Sequence, residues 1–183
     1  MPLAAALVCL VVGIADGDTL TVRCEAQADQ AAQTITIRLA EIDAPEKRQP
    51  FGERSKQALA AMCFQKPATV KPQTRDRYGR TVARIDCDGT DANAEMVRAG
   101  MAWAFTKYLT DPQIKAIEVE ARAERRGLWA DRQPVPPWKW RSTNRSIERV
   151  AGSCLTPNFK GRSTCVHSLS KLVCGLLCNQ LQT

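Results

Sequence analysis

The chain has 183 residues, which is room for one domain of ordinary size with a tail and too little for two large domains. Its net charge of +7 and its pI near 9.1 favour a polyanionic partner such as nucleic acid or an anionic membrane. Aromatic residues form only 5% of the chain, which argues against a protein that grips single strands through a broad stacking platform. Electrostatic attraction would then carry most of the binding.

Residues 1–10 are mostly apolar, and they suit either the remnant of a signal peptide or a first strand. The apolar run is too short to span a bilayer, and no positive charge precedes it. Because Val11, Val12 and Ile14 lead directly into a turn, we favour a strand. No other segment is a transmembrane candidate, so we expect no stable association with a membrane.

Alternating apolar residues predict half-buried strands in the first hundred residues. Helical spacing of apolar residues indicates a first helix over Gly52–Phe64 and a shorter one over Ala92–Ala99, which Gly100 would cap. A third helix is predicted to start at the cap Asp111 and to stop at Gly127. The residues that mark the strands are Leu20, Val22 and Cys24, then Ile35, Ile37 and Leu39, then Val82 and Ile85.

The amino-acid composition of the chain changes after Trp129. Several prolines and tryptophans between Pro134 and Trp140 predict an extended segment, and the chain has no acidic residue after Glu148. We place the domain boundary near Ser142, which divides a domain of residues 11–141 from a basic, cysteine-containing tail of residues 142–183. Strands that come first, with short turns and later helices, favour a mixed α+β fold with a small Greek-key barrel and helices outside it.

Eight cysteines are many for a reduced cytosolic protein, so we expect a secreted or periplasmic protein with disulfides. Zinc binding is the alternative, but the chain has no C-x-x-C pair and the tail cysteines have no common zinc-module spacing. Cys63 and Cys87 are expected to pair, because the end of the first helix and the end of a later strand could meet across the barrel wall.

Three polar blocks fall where the pattern predicts turns and strand ends, namely residues 16–19, 38–46 and 76–80. The first, Asp-Gly-Asp-Thr, is a tight turn that projects carboxylates side by side, although a plain hairpin turn would look the same. In the second, Pro45 keeps Ala44 out of the helical region, so that the Ala44 carbonyl can turn outward beside Asp43 and Glu46. With Asp18 these oxygens would suit calcium, or less comfortably magnesium. The alternative is a set of solvated loop charges.

Two arginines in these blocks could hold a phosphate. Arg38 alternates with apolar neighbours on its strand, so it could equally be a surface charge. Arg80 follows a Tyr-Gly turn, where a planar guanidinium could reach a phosphate with two hydrogen bonds or form a surface ion pair. Together the blocks would supply charge neutralisation, a water activator and donors for a transition state, which are the parts that phosphodiester cleavage needs.

The sequence resembles the staphylococcal nuclease (thermonuclease) family. Its three signature blocks are similar to Asp16-Gly17-Asp18-Thr19, to the run from Arg38 to Glu46, and to Asp76-Arg77-Tyr78-Gly79-Arg80. The likeness continues through residues 93–100 and 121–129, and it covers about residues 11–131 in the family's order. The resemblance implies a five-stranded OB-fold Greek-key β-barrel with three flanking helices, and a phosphodiesterase that cuts DNA or RNA.

The resemblance also assigns roles to residues. It implies that Asp18, Asp43 and the Ala44 carbonyl bind Ca²⁺, with Asp16 in support, and that Glu46 activates the attacking water. The family archetype has threonine in place of Ala44, which is harmless if only the carbonyl binds. Arg38 and Arg80 would grip the scissile phosphate. The nucleotide-binding positions are Arg77 and Tyr78, and after Gly100 the candidates for base contact are Tyr108, Trp103 and Phe105, of which the last two suit core packing better.

Three function classes follow from these observations. The first is a monomeric, calcium-dependent nuclease acting on DNA or RNA, and the complete set of site residues favours it. The second is a catalytically silent OB-fold module that binds nucleic acid. The third is a secreted, disulfide-held scaffold whose charges keep it soluble. Contacts to phosphate carry no base code, so the residues do not choose between DNA and RNA.

Overall fold

A computed structural model describes residues 7–25 and 31–154, with side chains through Ser146. The described residues up to Ser146 belong to one compact unit, and after Ser146 only the backbone of residues 147–154 is described. The tail residues Cys165, Cys174, Cys178 and His167 lie outside the described residues.

Five long strands form a closed barrel in the described part of the chain. Neighbouring strands pair antiparallel in the order β3-β2-β1-β5-β6, and a parallel pairing of β3 with β6 closes the ring. This is the predicted OB-fold barrel. The strands are β1 (Leu7–Asp16), β2 (Thr19–Cys24), β3 (Gln33–Leu39), β5 (Pro67–Arg75) and β6 (Thr81–Cys87), with the short strands β4 (Ile42–Asp43), β7 (Thr90–Asp91) and β8 (Trp103–Ala104).

The predicted alternation places the core correctly on β2 and β3. Leu20, Val22 and Ile37 are fully buried inside the barrel, as expected for one face of each strand. On β6 the inward face carries Ile85, whereas Val82 is only partly buried. The two residues lie three positions apart on a strand, so they point to opposite faces.

All three predicted helices are present, as α1 (Gly52–Cys63), α2 (Ala92–Arg98) and α3 (Pro112–Ala123). Asp111 caps α3 as predicted, because its carboxylate accepts the backbone N–H of Gln113. Gly100 has a positive φ of 66°, as a helix-terminating glycine should, and its carbonyl accepts the N–H of Leu128 at 2.8 Å. Two 3₁₀ turns, Thr106–Tyr108 and Gly127–Ala130, complete this part of the chain.

A fourth helix, α4 (Pro137–Cys154), replaces part of the segment that was predicted to be extended. That prediction was wrong from Pro137 onward, because proline is well tolerated in the first turn of a helix, where its missing N–H costs no hydrogen bond. The boundary proposed near Ser142 falls inside this helix. Among the described residues, no helix has both the length and the apolar character that crossing a bilayer requires.

The four cysteines of the barrel form two disulfides. Cys63 at the end of α1 is bonded to Cys87 at the end of β6, with Cα atoms 5.3 Å apart, which is the predicted pair. Cys9 and Cys24 face each other on β1 and β2 and are also bonded. Both disulfides are buried: Cys9–Cys24 ties strand β1 to strand β2, and Cys63–Cys87 ties helix α1 to strand β6.

Candidate active site

The β1–β2 hairpin turn brings the first carboxylates to one end of the barrel. Asp16 accepts the backbone N–H of Asp18 at 3.2 Å, which folds the turn. A Cβ at Gly17 would lie 1.8 Å from Ser55 Oγ and 2.9 Å from Ala44 Cβ, so only glycine lets the turn pack this closely. Asp18 then accepts the backbone N–H of Ala44 at 2.7 Å. The first and second polar blocks therefore meet.

Arg38 lies between two of the candidate metal ligands. Its guanidinium forms ion pairs with Asp18 and with Asp43, the latter at 2.7 Å. The Arg38 side chain is only 15% exposed and that of Asp43 is fully buried, which differs from the surface charge that the strand period allowed. The bend after β3 makes this possible, because it turns β4 back so that Asp43 reaches the arginine.

Glu46 extends the acidic cluster towards solvent. Its side chain is 40% exposed, and its Oε1 accepts a hydrogen bond from Arg141 Nη1 at 2.6 Å. Arg141 also contacts Asp43, at 2.7 Å from Nη2 to Oδ2. The sequence did not identify Arg141 as a site residue, since it stands beyond the end of the family resemblance and next to the predicted domain boundary.

The third block reaches the same end of the barrel through Arg80. Arg80 Nε pairs with Asp76 Oδ2 at 2.7 Å, and Arg80 Nη1 lies 3.4 Å from Thr19 Oγ1. Thr19 in turn donates a hydrogen bond to Asp18 at 3.1 Å. The Thr19 hydroxyl thus lies between the Arg80 guanidinium and the acidic cluster. All the predicted catalytic and metal-binding residues therefore lie in one region at this end of the barrel.

The predicted nucleotide-binding residues are exposed. The Tyr78 ring is 69% exposed and lies beneath the guanidinium groups of Arg77 and Arg80, at 4.8 and 5.6 Å from its centroid. Tyr108 is also largely exposed, and its ring packs edge-on against Phe105. Trp103 is buried, in agreement with the expected core role, and Phe105 is partly buried. Only the two tyrosines and Arg77 therefore offer open faces to a ligand.

Burial shifts the acid–base properties of the cluster. It raises the pKa of Asp16 from 3.8 to about 7, with the negative charge of Asp18 adding to the effect. Burial also raises the pKa of Asp43, against the lowering by its hydrogen bond to Arg141 and by the charge of Arg38. For Arg38, burial lowers the pKa, but the charges of Asp18 and Asp43 outweigh it and raise the pKa overall. Burial is therefore the main cause of the raised pKa of both aspartates.

The donor set fits a hard divalent cation. The carboxylates of Asp16, Asp18 and Asp43 offer only oxygen, and their mutual repulsion in a buried setting would be relieved by a cation. In the arrangement of residues 7–25 and 31–154, however, no three acidic, histidine or cysteine side chains are grouped as a metal site. The guanidinium groups of Arg38 and Arg141 hold oxygens that a cation would use.

The pKa of Asp16 predicts how stability depends on pH when chelator is present. A folded-state pKa of about 7 against 3.8 means that the folded protein binds the extra proton between these pH values. The free energy of unfolding should therefore fall as pH rises through that window, by up to about 1.4 kcal/mol per pH unit. Asp16→Asn should flatten this decline in urea titrations, whereas the exposed-turn variant Asp88→Asn should not. An unchanged slope in Asp16→Asn would contradict the assignment.

The barrel and the site define the chain as an OB-fold protein with an acidic centre flanked by arginines. A sequence profile described as "Staphylococcal nuclease homologue" matches residues 36–131. An "Uncharacterized endonuclease" of Escherichia coli O157:H7 is 44% identical over 132 residues, which cover 72% of this chain and 82% of the relative. A "Micrococcal nuclease" of Shigella flexneri is 44% identical over 147 residues, covering 74% of this chain and 81% of the relative.

A more distant relative is the "Staphylococcal-like nuclease CAN1" of Arabidopsis thaliana, which is 39% identical over 114 residues. These cover 62% of this chain and 35% of that protein. The chain belongs to the staphylococcal nuclease family. The predicted enzyme class, a nuclease that hydrolyses phosphodiester bonds, agrees with this membership.

Proposed function

We propose that this protein is a calcium-dependent nuclease that hydrolyses phosphodiester bonds of DNA or RNA. The observation that carries the proposal is the meeting of Asp18, Asp43 and Arg38 at one end of an OB barrel, with Glu46 and Arg80 on either side. A module that binds nucleic acid without cutting it needs a basic surface, but it does not need a buried acidic cluster beside Arg38 and Arg80.

In this proposal Asp18, Asp43 and the Ala44 carbonyl would hold Ca²⁺, with Asp16 in support. When bound, the cation supplies charge that neutralises the phosphate and polarises the attacking water. Calcium is favoured over magnesium because the backbone and side-chain oxygens here suit its more flexible, higher coordination. No sulfur or imidazole ligand lies in the described cluster, so softer metals have little to bind.

Glu46 would orient the attacking water and accept its proton. Its partial exposure lets a water reach it, and its position three residues after Asp43 keeps that water beside the acidic cluster. As the water oxygen bonds to phosphorus, the bond from phosphorus to the ester oxygen breaks. The negative charge that grows on the phosphate would be stabilised by hydrogen bonds from Arg38 and Arg80.

The substrate would lie across exposed groups next to the site. Arg77, Tyr78 and Tyr108 would line the nucleotide pocket, with the two tyrosine rings offering faces on which any base can stack. Because these contacts carry no base code, they do not select a base sequence, and the cleavage assay below compares DNA with RNA. All of the proposed site residues come from one chain, so a monomer would be sufficient.

We also propose that the protein works outside the cytosol, in the periplasm or as a secreted enzyme. Two buried disulfides in the barrel suit an oxidising compartment. Calcium is also abundant enough outside cells to fill a site of moderate affinity.

Cleavage assays with calcium or with chelator test the proposed function. Labelled single-stranded DNA, duplex DNA and RNA are incubated with the full chain in calcium, in magnesium and in excess chelator. We expect cleavage in calcium, weaker cleavage in magnesium and none in chelator. Full activity in chelator would refute the metal dependence, and binding without cleavage in calcium would show a silent module instead.

A further inference from the structure

Arg141 is an arginine of α4 whose guanidinium is held by the acidic cluster. Its Nη2 lies 2.7 Å from Asp43 Oδ2, and its Nη1 lies 3.1 Å from Asp43 Oδ1 and 2.6 Å from Glu46 Oε1. One cation from the C-terminal helix therefore bridges a proposed calcium ligand and the proposed base. The two contacts with Asp43 form a forked pair, the strongest geometry that arginine offers to a carboxylate, and the third contact adds Glu46.

The packing of α4 places Arg141 there. One helical turn before it, Trp138 stacks on Phe105 with ring centroids 5.5 Å apart, and packs edge-on against Trp103 at 5.7 Å. The segment that leads into α4 is fixed as well, because Gln49 Nε2 donates a hydrogen bond to the Val135 carbonyl at 2.6 Å. Trp138 and Arg141 share one helix face, so docking of the tryptophan brings the arginine to the carboxylates.

The contacts of Arg141 occupy the oxygens that a cation needs. Asp43 Oδ1 accepts hydrogen bonds from Arg38 and Arg141, and Asp43 Oδ2 accepts one from Arg141. Asp43 Oδ2 keeps a lone pair for a cation, but a cation bound there would lie next to the Arg141 guanidinium, whose Nη2 is 2.7 Å from the same oxygen. The side chain is 33% exposed and ends a long flexible stem, so it can move away without unfolding the barrel.

The charge of Arg141 opposes a cation in the same place. An arginine guanidinium is always protonated in proteins, and this one donates hydrogen bonds to both Asp43 and Glu46. Two positive groups that share one carboxylate repel each other strongly in a partly buried site. Each therefore weakens the binding of the other to Asp43.

We propose that Arg141 is an internal competitor of calcium, which occupies Asp43 and Glu46 in the metal-free protein and thereby sets the affinity of the site for the cation. The inference rests on the proposed function, because it takes calcium as the resident ion. In the calcium-bound protein Arg141 releases Asp43 Oδ2. Glu46 Oε1 is then free to receive a water.

Calcium titration calorimetry on the full chain tests this competition directly, with no need for catalysis. Arg141→Gln removes the charge, and its matched control is Arg145→Gln, which removes an equal charge from an exposed position one turn further along α4. We expect Arg141→Gln to lower the dissociation constant for calcium about tenfold or more, and Arg145→Gln to change it less than about twofold. Equal or weaker calcium binding by Arg141→Gln would overturn the proposal.

A second variant covers the case in which Arg141→Gln does not fold, as circular dichroism would reveal. Arg141→Lys keeps the charge but loses the fork, so calcium should bind it more tightly than the wild type, by about threefold. Affinity equal to that of the wild type would overturn the proposal. If the wild type and the variants all fail to bind calcium, both the proposed calcium dependence and this inference are refuted. If all bind equally and the wild type cuts, the inference alone fails.

Discussion

Arg80→Ala is expected to lower the turnover number about a thousandfold or more, while affinity for uncleaved nucleic acid falls far less. Arginines that contact a transferring phosphoryl group can contribute this much, because their hydrogen bonds strengthen as charge develops. Arg80 suits this role because Asp76 holds its Nε at 2.7 Å while its Nη1 lies near the Thr19 hydroxyl at the edge of the acidic cluster. Single-turnover cleavage of a labelled oligonucleotide in saturating calcium measures the effect.

The control for Arg80→Ala is Arg98→Ala. Arg98 forms a similar pair with a nearby carboxylate, Glu95, but lies exposed on the outer helix α2. Its loss should leave turnover within about twofold of wild type, since an exposed ion pair contributes little. If Arg80→Ala and Arg98→Ala cut at equal rates, Arg80 has no role in the transition state.

Arg38→Ala is a less clean test of the second arginine. Arg38 pairs with Asp18 and with the fully buried Asp43, so its removal leaves buried carboxylates uncompensated. Breaking a buried pair in this way costs about 3–5 kcal/mol of folding free energy. A loss of activity in that variant would mix a catalytic effect with a folding effect, whereas the more exposed Arg80 avoids the problem.

The barrel could be predicted from the sequence because its signals are local. A few neighbouring residues are enough to predict a strand from the apolar alternation of Leu20, Val22 and Cys24. The same is true of the helix start at the capping residue Asp111. The helix α4 was missed for the same reason. A proline-rich run is compatible with an extended chain or with a helix that starts at its last proline, and only the packing of Trp138 on Phe105 selects the helix.

The site was predictable in part. Motif similarity singled out Asp18, Asp43, Glu46 and Arg38, and the structure brings them together. The contact between Arg141 and these carboxylates could not be read from local pattern, since 98 residues separate Arg141 from Asp43. Such a pairing depends on the path of the chain through three helices, four strands and a proline-rich segment, and local sequence patterns do not predict that path.

Glu46→Gln is expected to lower the turnover number by about a hundredfold to ten-thousandfold, the usual contribution of a positioned general base. Glutamine keeps the size of the side chain and an oxygen that can accept the Arg141 hydrogen bond, which in the wild type is 2.6 Å long. It cannot take a proton from water. The loss should therefore appear in kcat rather than in the affinity for nucleic acid.

Three measurements decide the role of Glu46: single-turnover cleavage at saturating calcium, a calcium titration and a binding titration with labelled oligonucleotide. The matched control is Glu53→Gln, at an exposed glutamate in the first turn of α1 whose carboxylate accepts a hydrogen bond from Gln57. Glu53→Gln should cut like the wild type. If Glu46→Gln also cuts at the wild-type rate, Glu46 has no catalytic role. Loss of calcium binding in Glu46→Gln would instead make Glu46 a metal ligand.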